Sequence, residues 1–201
     1  MKMTIYIIIT VILGAIVSYF FIPDTAKSII ENLITISLSI TLFFVGISIG
    51  RNKHLFKDLK KTGLKVLILP LGTIIGSLIG GVITGIILKQ SHALSLAIAS
   101  GLGWYSISSV ILLPVTGAEG ATIAFIANVM REMLTFLLVP FIAKKVSPYC
   151  AISIGGATTM DVTLPIIARS TNEYYALISF IHGGIISLLV PFLVNFFASL
   201  I

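Results

Sequence analysis

The sequence predicts an all-α polytopic membrane protein, and three observations support this fold class. First, 57% of the 201 residues are hydrophobic and only 10% are charged, whereas a soluble domain of this size exposes far more charge. Second, several apolar stretches reach the roughly 18 residues needed to cross a bilayer. Third, the cations cluster in one short loop, so the net charge of +6 is a membrane-topology signal and does not predict nucleic-acid binding.

Five long apolar segments are expected to cross the lipid bilayer. They span about Met3–Ile22, Ile29–Ile49, Val66–Leu88, Glu119–Ala143 and Tyr174–Leu200. We expect the first to be a retained helix and not a cleaved signal, because the run Phe21-Ile22-Pro23-Asp24 offers no small-residue cleavage site.

Two further apolar stretches, Ala93–Pro114 and Pro148–Ala168, are interrupted by glycines. Each half of the first has about eight or nine residues, and at about 1.5 Å per residue it spans only half of the roughly 30 Å hydrocarbon core. We therefore predict two re-entrant hairpins, one entering from each side. The alternative is seven segments, with two broken helices that cross at the midplane; both arrangements place helix ends at one central site.

The positive-inside rule supports the hairpin arrangement. The basic loop should be cytoplasmic; its cations are Arg51, Lys53, Lys57, Lys60, Lys61 and Lys65. With both hairpins re-entrant, Lys144, Lys145 and Arg169 also fall inside, and Lys89 falls outside. This topology predicts a cytoplasmic N-terminus and an external C-terminus.

Ionisable residues occur within the apolar stretches. Arg131 and Glu132 lie in the middle of Thr122–Phe141, and Asp161 lies in the second interrupted stretch. Such residues are costly at bilayer depth, usually face a cavity or a partner, and mark solute or proton paths. They predict a transporter, in one membrane domain covering 1–201: two N-terminal helices and the basic loop in 1–65, and a transport core in 66–201. The alternative is a buried structural cluster of the acids with Arg131 and Asn128.

A series of motifs resembles the LysO-type lysine exporter family. In order these are Gly101-Leu102-Gly103-Trp104-Tyr105-Ser106, Asn128-Val129-Met130-Arg131-Glu132, Gly155-Gly156-Ala157-Thr158-Thr159-Met160-Asp161-Val162-Thr163-Leu164-Pro165 and His182-Gly183. The chain departs from the family pattern at Ser109 and Thr159, where glycine and serine are usual. The resemblance implies export of L-lysine and close cationic analogues across the cytoplasmic membrane, with essential acids at Glu132 and Asp161.

Family members typically carry a further block of membrane helices before the position of Met1. The chain is therefore expected to correspond to their C-terminal portion. This suggests that the working unit is an assembly, either a homodimer or a complex with a small membrane partner subunit, surrounded by membrane lipid.

A lysine site needs anions for two ammonium groups and a positive end for one carboxylate. Glu132 and Asp161 can supply the anions, and half-helix N-termini after the hairpin turns can bind the carboxylate. Arg131 could hold the carboxylate; its other possible role is a counter-ion to an acid. A carboxylate that alternately binds lysine and a proton would allow proton antiport.

The remaining candidates surround these charges. Asn128 lies one helical turn before Glu132 and could orient it. Thr158 and Thr159 could line the site or only satisfy backbone groups. Trp104 and Tyr105, followed by Ser106, could stack on an ammonium group or simply pack.

His182 lies early in the last helix and has two possible roles. It could relay protons, but we expect a structural, hydrogen-bonded histidine.

The rival function classes are an intramembrane enzyme, an accessory subunit of a transporter complex, and a transporter of another cationic amino acid or ion. The enzyme is disfavoured because no H-E-x-x-H motif or Cys/His cluster is present to form a catalytic metal site. Cys150 is the single cysteine, so no cysteine-based metal site is expected, and no cofactor is predicted.

Overall fold

The structure is a computed structural model that describes residues 27–51 and 63–201, with scattered positions between 6 and 23. Most of the predicted first helix lies outside the described residues, as do Lys53, Lys57, Lys60 and Lys61 of the basic loop. The described residues form helices joined by turns, without strands, which confirms the all-α class.

Seven α-helices occupy the described ranges. In chain order they are α1 (Lys27–Arg51), α2 (Ile68–Leu88), α3 (His92–Ala99), α4 (Tyr105–Lys145), α5 (Pro148–Gly155), α6 (Leu164–Ser170) and α7 (Glu173–Ala198), with 3₁₀ turns at Gly63–Leu67 and Gly156–Met160. Among them, α2, α4 and α7 are long and apolar enough to cross a membrane. The bounds of α1, α2 and α7 agree with the predicted segments to within two residues.

Helix α4 is broken at Gly117, where φ is 67° and ψ is −171°. This conformation is open to glycine because it has no Cβ. The chain folds back there, since the Tyr105 and Phe125 rings lie 5.2 Å apart and Asn128 Nδ2 donates to Ser108 Oγ at 3.3 Å. The part of α4 before Gly117 is therefore antiparallel to the part after it.

Helix α3 runs antiparallel to α2. Ser77 Oγ donates to the carbonyl of Ala99 at 2.9 Å, and Gly85, one helical turn from the end of α2, lies directly against Ser95. Residues 100–104, which we call the first tip, connect α3 to α4. The first tip therefore lies level with the middle of α2.

Helix α5 runs antiparallel to the second part of α4. Its last turn meets Arg131, whose Nε donates to the Ile154 carbonyl at 2.8 Å. Near its first turn, the Tyr149 ring lies 5.2 Å from that of Tyr175 at the start of α7. Residues 156–163, the second tip, lead into α6, which ends beside the start of α7.

The two tips touch each other. The Ala157 N–H donates to the carbonyl of Leu102 at 2.8 Å, although 55 positions separate these residues in the sequence. Gly156 has φ of 62°, and a Cβ there would overlap the Leu102 carbonyl oxygen. Glycine at this position permits the close approach of the tips.

Helix α7 packs against both tips and forms the centre of the core. Its buried residues Ile186, Val190 and Val194 pack in one cluster with Ala97 and Leu102. Three fully buried apolar side chains on one helical face fix α7 against α3 and the first tip. Both tips therefore rest on a common packed helix.

Candidate functional site

A cavity of about 140 Å³ lies beside the contact between the two tips. Its lining comes from both tips, α4 and α7: Gly103, Trp104, Tyr105, Ser106, Glu132, Ala157, Thr158, Met160, Asp161, Val162 and Ser187. A single water molecule needs only roughly 10–15 Å³ of such space. We call this space the acid cavity, because it contains two carboxylates.

Glu132 and Asp161 reach the acid cavity from different elements, α4 and the second tip. Both side chains line this one cavity. Glu132 Oε2 is buried without a hydrogen-bond partner in the described part of the chain, whereas an Asp161 oxygen accepts the Val162 N–H at 2.6 Å. Two carboxylates in partly apolar surroundings repel each other, so a cation or a proton between them would be stabilising.

The first turn of α4 provides the opposite polarity at the same cavity. Trp104 is its N-cap and makes no side-chain capping hydrogen bond. The orphan N–H groups of a helix N-terminus favour an anion, and Trp104, Tyr105 and Ser106 all line the acid cavity. The cavity therefore combines two anionic side chains with one positive helix end.

Arg131 does not line the acid cavity, although it precedes Glu132 directly. It lines a second cavity, of about 450 Å³, that shares no lining residue with the acid cavity. Successive helix positions point about 100° apart, which separates the two side chains. Arg131 donates to the carbonyls of Ser153 and Ile154, at the C-terminal end of α5, where a cation is favoured.

Asn128 fastens the first tip to α4. Its Oδ1 accepts the Gly103 N–H at 2.7 Å, and its Nδ2 donates to the carbonyl of Ile98 at 3.2 Å. The side chain is buried and lines the second cavity with Arg131. These hydrogen bonds engage the tip and not Glu132.

His182 bridges α2 and the second tip behind the acid cavity. Its Nε2 lies 2.9 Å from Thr73 Oγ1, and its Nδ1 lies 2.9 Å from Thr159 Oγ1. Ser179 Oγ extends the network by donating to the Thr159 carbonyl at 2.9 Å. His182 is 1% exposed, and neither His182 nor Thr159 lines the acid cavity or the second cavity.

The structure thus divides the ten candidate residues into three groups. Glu132, Asp161, Trp104, Tyr105, Ser106 and Thr158 share the acid cavity, Asn128 and Arg131 line the second cavity, and Thr159 and His182 form the buried network. Sequence reasoning missed five of the residues that line the acid cavity: Met160, Val162, Gly103, Ala157 and Ser187. The first two flank Asp161 in the chain, which was an available signal; Ser187 is a lone serine on α7 and gave none.

A family model described as lysine exporter LysO matches residues 8–198. The chain is 33% identical over 165 residues to the lysine exporter LysO of Escherichia coli K12, an alignment that covers 81% of this chain and 54% of the relative. It is 36% identical over 161 residues to a Haemophilus influenzae protein named "Putative lysine exporter", covering 79% of this chain and 80% of that protein.

The chain thus spans about half the length of the Escherichia coli relative and four fifths of the Haemophilus influenzae one. No solved structure matches it.

Proposed function

This chain belongs to the lysine exporter LysO family, and we propose that it exports L-lysine and cationic analogues across the cytoplasmic membrane in exchange for protons. The observation that carries the proposal is the acid cavity, which Glu132 and Asp161 both line and where a carboxylate oxygen of Glu132 is buried without a hydrogen-bond partner in the described part of the chain. Such a site favours binding of a cation. Binding a cation involves no making or breaking of covalent bonds. Transport therefore fits the cavity better than an enzymatic activity does.

Each end of lysine has a complementary group in the acid cavity. Its ammonium groups would pair with Glu132 and Asp161, and its carboxylate would accept N–H groups from the uncapped first turn of α4. The Trp104 and Tyr105 rings lie at the same cavity and can stabilise a cation over their faces. Analogues that keep both charges would bind by the same contacts.

Proton exchange follows from the energetics of export. Moving a monocation outward against an inside-negative potential costs about 2.3 kcal/mol per 100 mV. If Glu132 or Asp161 releases lysine outside and takes up a proton there, the returning carrier delivers that proton inside. The proton gradient then drives lysine out.

Flux from proteoliposomes tests this proposal. With labelled lysine inside and a more acidic medium outside, we expect faster efflux than at equal pH, and a protonophore should remove the difference. An efflux rate independent of the pH gradient would overturn proton antiport. Absence of any lysine flux from a folded, reconstituted chain would overturn the function itself.

For the membrane arrangement, we propose five spanning helices and two re-entrant hairpins that enter from opposite sides. Two sets of contacts support it. The first tip lies level with Ser77 in the middle of α2, and the chain turns back at Gly117. The end of α5 lies level with Arg131, while its start lies beside Tyr175. Each hairpin would then return to its own side, which keeps the basic clusters inside.

Cysteine labelling in a Cys150→Ala background tests the arrangement. A cysteine introduced at position 60 or 145 should react only with reagent on the cytoplasmic side, and one at position 90 only with external reagent. External labelling at position 145 would contradict re-entrant hairpins and would favour two broken helices that cross the membrane.

We further propose that the working unit is an assembly, either a homodimer or a complex with a small membrane partner. The support is one face of α2, where Gly72, Gly76 and Gly80 have nothing within 4 Å of an added Cβ. Small residues at this spacing let helix backbones approach closely in lipid.

The mass of the complex in mild detergent measures the assembly. Gly76→Leu should lower the mass to that of one chain and reduce flux, because the larger side chain keeps a second helix away. Ile75→Leu, on the same exposed part of α2, serves as the control and should change neither. A monomer that transports at the full rate would refute the assembly.

A further inference from the structure

The second cavity, which the proposed transport cycle does not use, lies between α2, α3 and the second part of α4. Its volume of about 450 Å³ falls within the roughly 300–1,000 Å³ typical of small-molecule sites. It is lined by Ser77, Gly81, Thr84, Leu88, Gln90, Leu94, Ser95, Ile98, Ala99, Ile123, Ala127, Asn128 and Arg131. Six of these thirteen residues are aliphatic and six are polar or charged, and Arg131 is the one that carries a charge.

The electrostatic character of this cavity is positive. Arg131 lines it, and within the described part of the chain none of the lining residues is an Asp or a Glu. The guanidinium donates to Ser77 Oγ at 3.0 Å and to two backbone carbonyls, all neutral groups. A guanidinium has five N–H donors, and these three hydrogen bonds leave one N–H on Nη1 and one on Nη2 without a partner in the described part of the chain.

The Arg131 guanidinium lies at the end of the cavity that is nearest the middle of α2. Arg131 contacts Ser77, in the middle of α2, whereas Leu88 ends α2 and Gln90 lies in the turn after it. At about 1.5 Å per residue, Ser77 and Leu88 are about 16 Å apart along the helix. A ligand that entered beside Gln90 would reach Arg131 only after passing the aliphatic wall formed by Ile98 and Ala127.

We propose that this cavity is a separate binding site for a short aliphatic monocarboxylate. The carboxylate would take the two remaining Arg131 N–H groups, a geometry that favours Arg over other cations. The alkyl chain would lie along Ile98, Ile123 and Ala127. Lysine carries net positive charge and finds no acid here, so this site discriminates against the proposed transport substrate.

Hexanoate binding to the purified full-length chain, measured by calorimetry, tests the site. Hexanamide has nearly the same shape without the charge, and it should bind at least tenfold more weakly. Ala127→Leu, which fills the cavity from an open position, should weaken hexanoate binding at least tenfold. The control Ile126→Leu, next to it on an exposed face outside the lining, should leave binding unchanged.

Three results would overturn the proposal: equal binding of hexanoate and hexanamide, unchanged hexanoate binding in Ala127→Leu, or competition by lysine. Either of the first two results would identify the space as an unspecific lipid-facing groove. Competition by lysine would show that the second cavity belongs to the transport path. Hexanoate binding should persist in Glu132→Gln. Hexanoate binding therefore tests the second cavity independently of whether the acid cavity takes part in lysine transport.

Discussion

Replacing Glu132 by glutamine, or Asp161 by asparagine, is expected to reduce lysine export by about 100-fold or more while leaving the protein folded. Each amide retains nearly the shape of the acid but carries no charge to bind an ammonium group or exchange a proton. Removing one partner of a desolvated charge pair costs about 3–5 kcal/mol, which corresponds to at least about 100-fold in binding. Labelled-lysine efflux from proteoliposomes measures the loss.

The thermal midpoint of unfolding separates this explanation from a structural one. Glu132 Oε2 is buried without a hydrogen-bond partner in the part of the chain described by the structure, so neutralising this residue should keep or raise the midpoint. Glu119→Gln makes the same chemical change at an exposed position of α4 and should affect neither property. If Glu132→Gln exports lysine at a near-normal rate, Glu132 is not part of the transport site.

The apolar segments were predictable because burial in lipid imposes a length and a composition on each helix. The bounds of α1, α2 and α7 therefore followed closely from hydropathy. Local signals also located the glycine-rich turns of both interrupted stretches. The hairpin predicted for Ala93–Pro114 and the spanning helix from Glu119 imply a reversal of the chain between them, but the sequence did not single out Gly117 as the residue that makes it.

Contacts between distant segments could not be derived from the sequence. Nothing in the sequence near Leu102 indicates that its carbonyl accepts the Ala157 N–H. The sequence left open whether Arg131 binds substrate or pairs with an acid, and nothing in it indicated that Arg131 would donate to the carbonyl of Ile154 in α5. The hydrogen bonds that Asn128 makes with Gly103 and Ile98 likewise depend on how α3 packs against α4.

A second large effect is expected at Gly183, on the face of α7 that supports the second tip. A Cβ at this position would overlap the Met160 backbone nitrogen and lie 2.7 Å from Thr159 Oγ1 and 2.9 Å from the Ala157 carbonyl. Because backbone atoms of a packed turn cannot move aside freely, Gly183→Ala should displace the segment that leads into Asp161. Overpacking of this kind costs about 1–3 kcal/mol of stability.

Gly184→Ala is the matched control, because the neighbouring position on the same helix has nothing within 4 Å of an added Cβ. Alanine also favours the helix over glycine by about 1 kcal/mol, so this variant should unfold at the same or a higher temperature and export lysine normally. Gly183→Ala should unfold at a lower temperature and lose about tenfold or more of its flux, since a binding group must stay within about 0.5 Å of its productive position. Equal behaviour of the two variants, measured by thermal unfolding in detergent and by lysine efflux, would show that the second tip does not depend on close contact with α7. The contrast between adjacent glycines isolates this contact, because helix, residue type and added volume are the same in both.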